Sequence, residues 1–114
     1  MANARRGEIA ADLDGRTWTL CLTLGALAEL EGAFGAEDLS ALAARLGQGR
    51  LSARDAIRVI GAGLRGAGHD IADEAVARMA QPDGAIGYAD IVARLLIATF
   101  GGAAEAPNPP QPRA

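Results

Sequence analysis

"RVIGAGLRGAG", residues 58 to 68, is the stretch on which the fold turns. Two branched apolar residues run into Gly61, Gly63 and Gly66, which together spell the G-x-G-x-x-G of a dinucleotide-binding turn. Read that way, the chain is a parallel α/β oxidoreductase. The fingerprint has mechanical requirements. It needs a strand ahead of it, and a helix opening behind it so that a pyrophosphate meets the helix N-terminus. It also needs an acidic residue roughly 20 positions on, at the end of a second strand, to hold the ribose.

The upstream context reads as helix instead. Ser52 is a plausible N-cap with Asp55 at the third helical position, a capping-box arrangement with Asp in place of Glu. Ile57, Ile60 and Leu64 then recur at spacings of three and four, which makes one apolar helical stripe. Arg54, Arg58 and Arg65 lie off that stripe. As a strand, "DAIRVI" alternates poorly, because Val59 and Ile60 are adjacent. Downstream, "AGHD" is a loop where a helix should open, Asp83 sits in the turn "QPDG", and "IADEAVARMA" is helical rather than a second strand. The motif is a false positive, and no cofactor is expected. Gly66 or Gly68 is expected to supply a left-handed helix cap.

Working outward, residues 8 to 23 carry the clearest local signal. Asp14-Gly15 is a hairpin turn, since both positions tolerate positive φ. Pairing away from it sets Leu13 opposite Arg16, Ala11 opposite Trp18 and Ile9 opposite Leu20. The other face pairs Asp12 with Thr17, Ala10 with Thr19 and Glu8 with Cys21. One face is apolar and the other polar, so turn and pattern agree on register. A lone hairpin is marginal in water and must lay its Ile9/Trp18/Leu20 face on helices.

Thr23 should cap a helix over 24–33 with Leu24, Leu27, Leu30 and Phe34 inward, ended by Gly35. A second helix is expected over 37–47 with Leu39, Leu42 and Leu46 inward, stopped by "GQG". The helix over 52–65 follows, then a short one opened by Asp73 and running through Met79. The fifth spans about 85–100. The expected architecture is α+β: an N-terminal β-hairpin packed on four to five short α-helices. Residues 1–7 read as a flexible arm, 8–101 as a single domain and the proline-rich 102–114 as a disordered tail.

Composition narrows the function. With 114 residues and half of them hydrophobic, the chain makes one core, built from leucine and isoleucine because aromatics are only 4%. The net charge of −3 argues against nucleic acid as a main partner. A single cysteine, Cys21, excludes an internal disulfide and fits a reducing compartment. No apolar run approaches a membrane span, and "MANARRGE" lacks the apolar core of a signal peptide. The expectation is a cytoplasmic bacterial protein, with particle association as the alternative.

Little in the chain converges on catalysis. His69, the only histidine, sits in a glycine-rich turn expected to be an exposed loop. Cys21 falls on the polar strand face with no basic neighbour in sequence to lower its pKa, so an inert thiol is expected. Neither finds the further donors that a metal site needs. Glu29/Glu31 and Asp73/Glu74 read as solvated helix faces or N-terminal dipole partners. No catalytic, cofactor or metal residue is assigned, and the chain is read as non-enzymatic. Two features suggest contact with a partner. Arg54 and Arg58, one helical turn apart with Arg65 near the same face, read first as a solvated face and alternatively as an array that could meet an acidic partner. The fifth helix is apolar beyond the usual stripe, through Ile91, Val92, Leu95, Leu96, Ile97 and Phe100. Either it is the central core helix, or one edge, with Val92, Leu96 and Phe100, binds another protein or a second copy of the chain.

The segments "LDGRTWTLCLTLGALAELEGAFG" (13 to 35) and "LSARDAIRVIGAGLRGAG" (51 to 68) carry a family resemblance. A hairpin leading directly into "LGALAELE", followed by "GLRGAG", resembles the small tail protein of gene transfer agents and related siphophages. That family is grouped with phage tail assembly chaperones, and the likeness covers roughly residues 8 to 101. The resemblance implies a role in building a phage-like tail, with the tape-measure protein and the tail-tube protein as partners. Such chaperones are thought to coat the apolar tape-measure protein until tube subunits polymerise around it, and some are also made in a longer frameshifted form. No catalytic residue or cofactor comes with the family. The alternative is a structural tail component, a tube or tail-terminus subunit; the two-stranded hairpin weighs slightly against it, since tube subunits usually have larger sheets. A third class, a DNA-binding regulator reading through Arg54 and Arg58, implies salt-sensitive DNA affinity, and none is expected.

Overall fold

The computed structural model describes residue 3 and residues 6–101. The expected tail at 102–114 and most of the expected arm at 1–7 lie outside the described residues. Where the arm is described, the backbone N–H groups of Arg6 and Glu8 both donate to the Asn3 carbonyl, at 2.9 and 3.1 Å.

The hairpin is β1 (Glu8–Leu13) and β2 (Arg16–Cys21), antiparallel, in the register that turn and pattern dictate: Leu13 faces Arg16, Ala11 faces Trp18 and Ile9 faces Leu20. Asp14 and Gly15 adopt φ of 57° and 78°, so both take the left-handed conformation of a tight hairpin turn. Ile9, Ala11, Leu13 and Leu20 are buried. Trp18 is half-buried, donates Nε1–H to the Leu13 carbonyl at 2.9 Å, and carries the Arg16 guanidinium 3.8 Å above its ring. On the other face Thr17 donates to Asp12 at 2.7 Å.

Among the described residues five helices follow: α1 (Leu24–Phe34), α2 (Leu39–Leu46), α3 (Ala53–Gly66), α4 (Asp73–Val76) and α5 (Gly84–Phe100). The fold is therefore α+β, a hairpin on five helices. Thr23 caps α1 through its side chain, and Gly35 ends it at φ 66°. Leu24 departs from the expected stripe and is 75% exposed. Each step of three residues falls about 60° short of a full turn, so Leu24 has drifted off the face that carries Leu27 and Leu30. Leu39 is also exposed, because only the second turn of α2, with Leu42 and Leu46, reaches the core.

The central helix is α3 rather than α5, and it is enclosed over its middle. Val59, Ile60, Gly61, Ala62, Gly63 and Leu64 are consecutive and buried, and α3 packs on β2, α1, α4 and α5. The glycines of the false motif make this packing close. A β-carbon on Gly63 would lie 2.8 Å from Leu95 Cδ2, and one on Gly66 would lie 2.0 Å from the Cys21 carbonyl oxygen. Gly68, at φ 97°, supplies the left-handed cap. His69 N–H donates back to Leu64 and Gly68 N–H to Arg65, both at 3.0 Å, which is the Schellman arrangement.

The fourth helix is shorter than expected: after Val76 the chain continues in tight turns, with Arg78 donating to Ala75 and Met79 to Val76. The loop that follows is pinned to the hairpin turn. Asp14 N–H donates to the Ala80 carbonyl at 2.8 Å, and Ala80 N–H donates to the Asp14 carboxylate at 3.1 Å. One continuous core runs through β1, β2 and all five helices.

Candidate functional site

Because α3 is buried only over its second half, its first two turns stand away from α5 and leave a cleft. The α3 wall is Ala53, Ala56, Ile57 and Ile60; the α5 wall is Ala85, Tyr88, Ala89, Val92, Ala93 and Leu96. Leu46 and the following loop through Leu51 close one end, and Val76, Ala77 and Met79 close another. The cleft has a volume of about 580 Å³. Among the described residues no charged side chain lines it, and Ser52 and Tyr88 are the only polar side chains that do. Both are occupied: Ser52 Oγ accepts the Asp55 N–H at 3.1 Å, and the Tyr88 hydroxyl donates to the Met79 carbonyl. Such a wall offers apolar burial and shape.

The structure brings some of the sequence candidates together here. Val92 is buried on the cleft floor and Leu96 is half-buried in its wall. Phe100 continues the same helix face one turn beyond Leu96, half-buried against the core and outside the cleft. Arg54 is exposed and Arg58 half-buried; neither lines the cleft, and neither has an ion-pair partner among the described residues. The remainder of α5 is divided, with Ile91 and Leu95 in the core and Ile86 and Ile97 exposed. Sequence reasoning missed the contribution of Met79, Leu46 and Leu51, which meet the helices only through the tertiary fold. A signal was present in Ala85, Ala89 and Ala93, spaced four apart so that they share one face.

Arg65 parts from the other two arginines. It pairs with Glu29 of α1, and with Asp73 of α4 at 3.0 Å, and it donates to the Ile71 carbonyl at 2.8 Å. Glu29 above all, then Asp73, raises its already high pKa against the effect of burial. Glu29 and Asp73 remain partly exposed, Asp73 in the first turn of α4, and each also pairs with Arg65. At the head of α3 the capping box is complete, since Ser52 and Asp55 each accept the other's backbone N–H at 3.1 Å. Burial acts to raise the Asp55 pKa, but the Ser52 N–H and Arg45, 3.2 Å away, outweigh it and hold the carboxyl below its ordinary value.

The remaining candidates for chemistry are His69 and Cys21. His69 is half-buried rather than looped into solvent: its ring stands edge-on to Trp18, with centroids 5.0 Å apart. Gly68 turns the chain so that this contact forms. Cys21 lies 3.5 Å from the Arg6 carbonyl. Burial, then the nearby Glu8, pushes its thiol pKa up against the lesser pull of Arg6, which disfavours the nucleophilic thiolate. Among the described residues no three His, Cys, Asp or Glu side chains are placed to hold a metal ion. No helix among them is long and apolar enough to cross a membrane.

Fold and site together define a small α+β module with an apolar cleft between α3 and α5. The chain belongs to the family described as phage tail tube protein, GTA-gp10, which matches residues 6–102. It is therefore a component of the phage and gene-transfer-agent tail system, and the resemblance seen at 8 to 101 falls inside that span. No curated protein and no solved structure matches the chain.

Proposed function

We propose that the chain is a non-enzymatic structural component of a phage-like tail, acting at the tail tube through contacts with other tail proteins. The observation that carries this reading is the match to a tail-tube family over residues 6–102. A cleft lined without a charged side chain supports a role in binding rather than catalysis. The partners on this reading are proteins, the tail-tube subunits first, with neither nucleic acid nor membrane involved; the site of synthesis and assembly is the bacterial cytoplasm.

A second reading, an assembly chaperone for the tape-measure protein that leaves before the particle is complete, is favoured by one specific feature. Among the described residues the sheet has two strands, which offers little β-surface for building a tube wall, whereas the apolar cleft suits transient cover of an apolar segment. One paired experiment separates the two: mass spectrometry of purified particles, and a pull-down with this chain from the producing cells. A fixed copy number in particles supports the structural role. Co-purification with tape-measure or tube proteins in lysate, with no copies in particles, overturns it in favour of the chaperone. Absence from both removes either role.

A further inference from the structure

The cleft is uncharged inside, but its margin is charged and mostly of one sign. Arg50, Arg54, Arg58 and Arg78 each adjoin in sequence a residue that lines it, so their backbones lie within about 4 Å of the wall. None of the four has an ion-pair partner among the described residues. Arg45 and Arg94 also adjoin the lining, and they are neutralised by Asp55 at 3.2 Å and Asp90 at 2.9 Å. Those aspartates are the only carboxylates next in sequence to the lining. Unpaired arginines thus adjoin the cleft along α3, the loop before it and the segment after α4, in a chain whose net charge is −3.

The shape of the cleft points to a helix as its occupant. Ala85, Ala89 and Ala93 form a low ridge along α5, faced by Ala53 and Ala56 of α3. Small side chains on both walls let another helix approach closely. From Ala85 to Leu96 the wall runs about 16 Å, three helical turns, enough for anchors at i, i+3 or i+4, and i+7. A nucleic-acid duplex would meet the arginines, but it would leave this apolar floor against water.

We propose that the cleft receives an amphipathic α-helix of a partner protein, its apolar ridge against Ile57, Val92 and Leu96 and its flanks acidic, opposite Arg50, Arg54, Arg58 and Arg78. The inference deepens the reading of the chain as a protein-binding tail component, on which it rests for the origin of the partner but not for its chemistry.

The test uses the full chain and two labelled peptides of about 18 residues, long enough for the three-turn wall. Both carry the same Leu/Ala ridge, flanked by Glu in one and by Lys in the other, and binding is read by fluorescence anisotropy. The Glu peptide should bind roughly tenfold or more tightly than the Lys peptide, and weaken several-fold as salt rises and screens the margin. Ala89→Trp should abolish binding by filling the cleft, with the circular dichroism spectrum unchanged. Should that variant misfold, Arg54→Glu with Arg58→Glu still decides, because it should reverse the preference between the peptides. Equal binding of both peptides, full binding by a folded Ala89→Trp, or preferential binding of duplex DNA overturns the proposal. So does sedimentation showing a dimer that Ala89→Trp dissociates, since a second copy then fills the cleft. The peptide result is independent of particle composition. A chain present in particles that ignores both peptides loses the cleft assignment alone, and one that binds the Glu peptide but takes no part in tails loses the tail role alone.

Discussion

At Gly66 even a methyl group would sit 2.0 Å from the carbonyl oxygen of Cys21, a backbone atom with little freedom to withdraw. Gly32, exposed on α1, has nothing within 4 Å of where its β-carbon would lie. The two glycines therefore predict opposite signs for one substitution. Gly32→Ala should stabilise the protein by about 0.5–1 kcal/mol, through reduced backbone freedom in the unfolded chain. Gly66→Ala gains the same intrinsic helix propensity and should still lose about 1–3 kcal/mol to overpacking. Urea denaturation of both variants is the measurement, and a stabilised Gly66→Ala would mean that α3 does not lie so close to β2. Neither role is visible from residue type, because glycine in a helix reads the same whether its missing side chain faces water or a strand.

Among the elements, α3 depends most on its ends. Its capping box joins Ser52 to Asp55 and is reinforced by Arg45 of α2. Ser52→Ala should cost about 1 kcal/mol. The Asp55 carboxyl has a folded-state pKa below its unfolded value, so its contribution is fully present above the unfolded pKa and is lost as pH falls through the folded one. The stability advantage of the wild type over Asp55→Asn should hold at neutral pH and shrink as pH drops below about 4. Thermal melts of the pair between neutral and acid pH check this; a gap that persists unchanged at low pH assigns the effect to shape rather than charge. The capping box was legible in the sequence because it spans four consecutive residues. The Glu29–Arg65–Asp73 cluster was not, since it joins three elements that only the fold brings together.

For the molecule as a whole, one core cluster contains residues of the hairpin and of every helix. Unfolding should therefore be a single cooperative transition. The sole tryptophan, Trp18, reports on the hairpin, while far-ultraviolet circular dichroism reports on the helices. Their urea midpoints should coincide, and an earlier fluorescence transition would show a hairpin that folds apart from the helices. What the sequence by itself determined was local. The turn chemistry of Asp14-Gly15 and the alternation beside it decided the strand register, and Thr23, Ser52 and Gly35 marked helix ends, because each acts over a few residues. The tertiary structure alone decided which helix is central, which of Arg54, Arg58 and Arg65 is paired, and where the cleft opens. Those outcomes depend on how closely separate elements approach, and at Gly63 and Gly66 that distance is set by partners more than thirty residues away in the chain, Leu95 and Cys21.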